Sequence, residues 1–285
     1  MLVLLIIILP LVFAALTIIA GEKQAKNTAT LGAVFTLAAG IAGFHRYAVD
    51  ATSKLLVFHT EWIKALNADF YIKIDGINSI LLLLTVLLMP FIIQSTQDRI
   101  TKSPRAFYSL MLVMQSAMLG VFLAKDAMLF YIFWELSLLP IYLLALIWGG
   151  EHKKRITFKF FVFTLFGSLF MLLAIIFVWL HNPTRSFSIY DFYTAGALLT
   201  APQQLFVFIA FYLAFAIKIP IFPFHSWQPD TYVTAPTQGT MLLSGIMLKM
   251  GAFALIVWLI PIAPLGWHIA SKYVIILSVI SVVYG

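Results

Sequence analysis

Apolar runs of roughly twenty residues, separated by short polar stretches, dominate this chain of 285 residues. A helix needs about twenty consecutive apolar residues to cross the hydrocarbon core of a bilayer. Each run of that length therefore predicts a spanning helix. The first is Leu2–Ala20, and the second is Thr28–Tyr47, softened by Gly32, Gly40 and Gly43. The mixed-polarity segment Ala48–Asp75 reads as a 28-residue loop. The third to sixth runs are Gly76–Thr96, Ala106–Ala124, Ala127–Trp148 and Ile156–Leu180. His181–Pro202 reads as a second loop without a span. The seventh run starts at Gln203 and breaks at Pro220 and Pro223, and the eighth is Gln238–Ile260. A ninth run starts near Lys272 and reaches Gly285 after 14 residues. That is too short to span, so the chain is expected to stop inside a helix.

The pattern predicts an all-α polytopic membrane protein: eight complete transmembrane helices, a truncated ninth, and a discontinuous seventh. Composition agrees. The chain is 62% hydrophobic and 10% charged, where a soluble domain is about a quarter charged. Its mean hydropathy is +1.02. Met1–Ala20 lacks the basic start of a signal peptide and is long enough to span. With no cysteine, disulfides, thiolate metal sites and cysteine nucleophiles are excluded.

The net charge of +7 would suggest nucleic acid if the basic residues formed a patch. They lie instead in the connections between runs, where the positive-inside rule places them. With the N-terminus outside, the inside connections are Gly21–Asn27, Gln97–Arg105 and Gly149–Arg155. They hold eight Lys and Arg, Arg99 among them, in 23 positions. The outside loops hold four in 50. The expected partners are the lipid bilayer and other membrane proteins, with no nucleic acid.

Three charges fall well inside runs: Glu135, Lys218 and Lys249. Each costs about 2.5–3.5 kcal/mol at a helix centre, and such residues face a bundle interior or water and mark ion paths. Lys249 lies 11 residues from either end of its run, about 16 Å at 1.5 Å per residue, too deep to snorkel. Glu135 shares a helical stripe with Tyr131, Leu138 and Tyr142. A static packing partner is its other reading. Gln115 and Ser116 supply polar groups at mid-depth, read as interhelical hydrogen bonds before any relay role. Gly245, Ser244 and Thr240 near Lys249 permit a close helix approach or a water pocket.

Pro220 and Pro223 remove helical N–H donors and leave carbonyls near Phe215–Ile219 without partners. Such backbone survives at membrane depth only inside protein or around a watery cavity. Lys218 stands at the electronegative end of this half-helix and is expected to donate to the freed carbonyls. His225, seven residues on, is either a candidate proton relay or a structural histidine. No metal-ligand cluster and no Gly-rich dinucleotide turn occur.

The segments Phe130–Pro140 with Ile147-Trp148-Gly149, Lys218–Asp230 with Ala235-Pro236-Thr237, and Leu248-Lys249-Met250-Gly251 resemble the antiporter-like, proton-translocating subunits of respiratory complex I. Asp75-Gly76-Ile77-Asn78 matches as well. Within that family, Lys159–Ser168 and the Phe-Trp-Glu triplet ending at Glu135 are most similar to the branch of bacterial chain M and mitochondrial subunit 4. The resemblance covers nearly the whole chain. Pro229, where many members have leucine, departs from the pattern.

The resemblance implies about fourteen helices in two inverted five-helix repeats, with helices 4–8 forming the first. Residues 1–105 would then hold helices 1–3, 106–260 the repeat, and 261–285 the start of a truncated second repeat. It implies a subunit of NADH:quinone oxidoreductase in a bacterial inner membrane. Other membrane subunits would be its partners, and it would carry no cofactor or redox centre. Glu135, Lys218 and Lys249 would form the proton path. The alternatives are a subunit of a multi-subunit sodium or potassium/proton antiporter, or of a membrane-bound hydrogenase. A structural scaffold with frozen charge pairs is a further one.

Overall fold

The computed structural model describes residues 1–96, 100, 102–284. Arg99 of the second inside connection, and Gly285, lie outside the described residues. The elements run α1 (Leu2–Ile19), α2 (Ala25–Val49), β1 (Val57–Ile63), β2 (Ala68–Lys73), α3 (Gly76–Gln94), α4 (Pro104–Leu123), α5 (Ala127–Trp148), α6 (Lys153–His181), α7 (Ile189–Leu198), α8 (Ala201–Lys218), α9 (Gln228–Thr234), α10 (Thr237–Ile262) and α11 (Pro264–Tyr284). Among the described residues nine helices are long and apolar enough to cross a membrane: all but α7 and α9.

The ninth apolar run is a correction. It forms a helix of 21 residues, Pro264–Tyr284, and not a stub of 14. Pro264, Gly266 and His268 read as loop residues, yet proline suits a first helical turn because its missing N–H would have no helical partner there. The segment Ala48–Asp75 is a second correction. It folds as an antiparallel hairpin, with Val57 opposite Lys73 and Glu61 opposite Asp69.

Helix starts follow local chemistry. Asn78 Oδ1 accepts from the Asp75 amide at 2.7 Å in a capping box before α3. Asp126 caps α5, accepting from the Leu129 amide at 3.0 Å. Thr200 and Gln203 form a capping box at α8.

Helix α4 is the most enclosed span, packed against α1, α2, α3 and α5. Two glycines set how closely the helices meet near the mid-membrane charges. A Cβ on Gly120 would lie 2.3 Å from the Phe133 ring, so α4 abuts α5 two residues from Glu135. A Cβ on Gly251 would lie 2.6 Å from Ile219, so α10 meets the end of α8.

Candidate functional site: a lysine at a helix break and its neighbours

Helix α8 stops at Lys218, and regular helix resumes only at Gln228. Proline at 220 and 223 makes that interruption unavoidable. Two of the carbonyls freed by it are satisfied from within the break. The Ile221 amide donates to Ala216 O at 2.8 Å, and Trp227 Nε1 donates to Ile217 O at 2.9 Å. The expectation that Lys218 itself serves these carbonyls is thereby corrected, because an indole ten residues downstream occupies the position.

Lys218 is buried, at 2% exposure. Its Nζ lies 5.2 Å from the centroid of the Trp134 ring, a cation–π geometry. Trp134 precedes Glu135 on α5. The Glu135 carboxyl faces Ser168 of α6 and is within electrostatic reach of Lys218. Its Oε1 is buried without a hydrogen-bond partner. Tyr131, one turn away on α5, also lies beside Ser168 and Glu135. Tyr142 instead packs on Phe161, with ring centroids 4.9 Å apart. The structure thus brings Glu135, Lys218, Trp134 and Ser168 together between α5, α6 and α8.

Lys249 is held differently. Helix α10 has a wide, π-helical turn at Leu243–Met247, where the Leu248 amide reaches Leu243 O, and another at Leu255–Leu259. Lys249 Nζ donates to the Ser244 carbonyl inside the first wide turn. The residue is exposed on the flank of the chain, where an interior position was expected. Among the described residues no hydrogen bond or ion pair joins it to Glu135 or Lys218. His225 sits inside the break, half-buried, its ring 5.6 Å from Phe222 and 5.2 Å from Tyr284. Its Nδ1 is buried without a partner, and among the described residues no hydrogen bond links it to Lys218.

Sequence reasoning missed a charged cluster at the hairpin end of the bundle. Lys125 is buried and forms an ion pair with Asp75. The Asp69 amide donates to Asp126 Oδ2 at 3.0 Å, and His59 Nε2 meets Asp69 Oδ2 at 2.7 Å. Burial pushes the Asp126 carboxyl up to about 6 despite its amide donors. Burial and neighbouring Tyr190 push Tyr71 up to about 12. Tyr193 OH donates to Val257 O, within the second wide turn of α10, at 2.6 Å. The consecutive Lys125-Asp126 between two runs was the available signal, but it read as an ordinary connection.

Comparison with known proteins gives the family of the chain. Residues 124–285 match the family model described as "NADH:quinone oxidoreductase/Mrp antiporter, TM". The chain is 37% identical over 98% of its length to NAD(P)H-quinone oxidoreductase chain 4 3 of Trichormus variabilis, covering 52% of that protein. It is 36% identical over 91% of its length to F(420)H(2) dehydrogenase subunit M of Methanosarcina mazei, covering 53%. A chain of respiratory complex I from Thermus thermophilus superposes with a TM-score of 0.83 at 29% identity, over 96% of this chain and 56% of that one. The chain therefore spans about half the length of the relatives it matches.

Proposed function

The chain belongs to the NADH:quinone oxidoreductase/Mrp antiporter transmembrane family, and from that premise we propose that it translocates protons as a membrane subunit of a complex I-type quinone oxidoreductase. Glu135, Lys218 and Lys249 carry the path, with His225 as a candidate relay. The chain holds no cofactor, and electron transfer takes place in partner subunits. Those partners also set the electron donor, since relatives of similar identity are named for NAD(P)H and for F(420)H(2). The charge path lies in 106–260, preceded by helices of 1–105 and followed by 261–285.

One observation carries the reading: the Lys218 amine is buried against an aromatic face beside a carboxylate that lacks a hydrogen-bond partner on one oxygen. A frozen structural pair would be expected to close into a direct, hydrogen-bonded salt bridge. Here the two groups attract without locking. Approach of Glu135 favours the ammonium and separation favours proton release, so the pair titrates as a unit. Lys249, on a helix packed against the end of α8, is the acceptor further along.

The chain lies in a bacterial inner membrane with its N-terminus outside. The distribution of basic residues supports this orientation, as does the pairing of the connections by end. The hairpin meets the α6–α7 connection through Asn67 and Thr184, and Lys102 O accepts from Trp148 Nε1 at the other end.

The test is Glu135→Gln in the assembled complex, reading proton uptake into inverted vesicles against quinone reduction. Positioned proton-transfer groups supply about a hundredfold or more, so most coupled turnover should vanish while assembly persists. Glu135→Asp should keep part of it. Normal pumping in the glutamine variant would sink the proposal.

A further inference from the structure

Gly266, Ala270, Val274 and Leu277 follow one another at helical spacing along α11, and Ser281 continues their stripe with a hydroxyl. The first three are buried, and α11 packs against α8. A Cβ on Gly266 would lie 2.8 Å from Phe208 Cβ, and the Trp267 ring meets Phe208 at 6.1 Å. At the start of α8 the Leu265 amide donates to Gln204 Oε1 at 2.8 Å. At its far end, inside the break, the Phe222 amide donates to Ser281 Oγ at 2.9 Å. Among the described residues these are the two hydrogen bonds that join α11 to α8 and its break. The two helices thus run side by side in the same direction, tied at both ends.

In a continuous helix the Phe222 amide would donate four residues back, to the Lys218 carbonyl. Pro220 disfavours that turn, so the amide needs another acceptor. Ser281 supplies it, and its hydroxyl is oriented by donating to Leu277 O at 2.7 Å. The rings of Phe222, His225 and Tyr284 close the same junction, with centroids 5.6, 5.4 and 5.2 Å apart. The Ile221 amide and the Trp227 indole tie the break back onto α8, whereas Ser281 ties it to a different helix. Lys218 has no such tie. Its amine lies over the Trp134 ring within electrostatic reach of Glu135, and its place follows the backbone that carries it.

We propose that Ser281 is a positioning residue for proton transfer: by holding the Phe222 amide it fixes the break against α11, and so keeps the Lys218 amine over Trp134 and within reach of Glu135. This rests on the proton-translocation reading above. The hydroxyl carries no transferred proton. Movement of α11 along α8 would move the break with it, so α11 has a direct grip on the segment that ends in Lys218.

The assembled complex is the system, read by proton uptake in inverted vesicles and by amide hydrogen exchange. Ser281→Ala removes the acceptor. Ser281→Thr keeps a hydroxyl and serves as the rescue variant. Ser278→Ala is the control, since Ser278 is exposed and its hydroxyl bonds back to Val274 O within α11. Ser281→Ala should raise exchange at the Phe222 amide by about fivefold, the worth of one hydrogen bond. It should also lower the ratio of protons moved to quinone reduced by at least about twofold, a small share of what a positioned proton-transfer group supplies. Ser281→Thr should restore both, and Ser278→Ala should change neither. A bond of purely structural use would raise exchange and leave the ratio native. That result overturns the proposal, as does unchanged exchange at Phe222 or an equal loss of ratio in Ser278→Ala. If Ser281→Ala does not assemble, Ser281→Cys, whose sulfur is a weak acceptor, is read in the same two ways. Glu135→Gln, run alongside, separates two failures. If it abolishes pumping while Ser281→Ala keeps the native ratio, only the positioning role falls. If neither variant matters, the translocation reading falls with it.

Discussion

Lys218 ends α8 and Lys249 sits within α10, and their ammonium groups are held in different ways. At the end of α8 two prolines open the backbone, but the Ala216 and Ile217 carbonyls are taken by the Ile221 amide and the Trp227 indole. Lys218 is left with an aromatic face and a nearby carboxylate. In α10 no proline intervenes near Lys249. A wide turn loosens the helix, and the lysine bonds to a carbonyl of that turn. The first lysine is buried and only electrostatically held, and the second is exposed and hydrogen-bonded. An aromatic face and a charge at a distance hold a cation without fixing its geometry. A backbone hydrogen bond holds it in one place. On the proposed reading, Lys218 would lose and regain a proton with little rearrangement, and Lys249 would first have to leave its carbonyl.

The largest effect should come from replacing each lysine by arginine in the assembled complex. Guanidinium keeps the charge but does not release its proton at working pH. Lys218→Arg should assemble and lose most proton transfer, by about a hundredfold or more if deprotonation there is the step supplied. Lys249→Arg should also pump poorly, but by a smaller factor, since its carbonyl partner tolerates any donor. Proton uptake at matched quinone reduction reads both. Equal and normal uptake in the two variants would remove the distinction drawn between the sites.

A smaller effect is expected at Trp227. Trp227→Phe keeps the ring and removes the donor to Ile217 O, leaving a buried carbonyl that costs about 1–3 kcal/mol. The Lys218 amine belongs to the next residue. It should turn from the Trp134 ring to that carbonyl and come to resemble Lys249. Trp134 fluorescence or a structure of the variant would register the move. The complex should be less heat-stable and should pump more slowly, with all three charges intact. If Lys218 stays over Trp134 in the variant, carbonyl capture by the indole is not what frees the lysine.

The spans were legible in the sequence because a bilayer allows few alternatives: every backbone group must be paired within a helix, so length and apolarity suffice. Ala127–Trp148 came out with the observed bounds, and the break after Lys218 followed from proline chemistry alone. The misses share a different cause. The hairpin exposes most of β1, so no clean alternation marks it. Pro264 and Gly266 hid the start of α11. The wide turns leave no trace in a uniformly apolar stretch such as Leu243–Met247. Trp134 under Lys218 and Asp75 with Lys125 are contacts between residues far apart in the chain, and Trp227 reaches Ile217 across an irregular break. No local pattern carries them.

The smallest effect tests the second wide turn of α10, which has its own anchor. Val257 O there accepts from Tyr193 OH at 2.6 Å, and Tyr193 belongs to α7 beside the charged cluster at the hairpin end. Serving the same element, Tyr193 does for one wide turn what Lys249 does for the other, with a neutral hydroxyl in place of an ammonium. Tyr193→Phe removes one hydrogen bond, worth about 0.5–1.5 kcal/mol. Amide exchange should rise by about fivefold in 255–262 for the middle of that range, and Lys249 should keep its place. An anchor made of a hydroxyl can be lost without changing any charge, so proton transfer should be nearly unaffected. If Tyr193→Phe instead slowed pumping as much as Lys249→Arg, the two wide turns would have to move together. The contrast between a fixed turn at the hairpin end and a working turn at mid-depth would then fail.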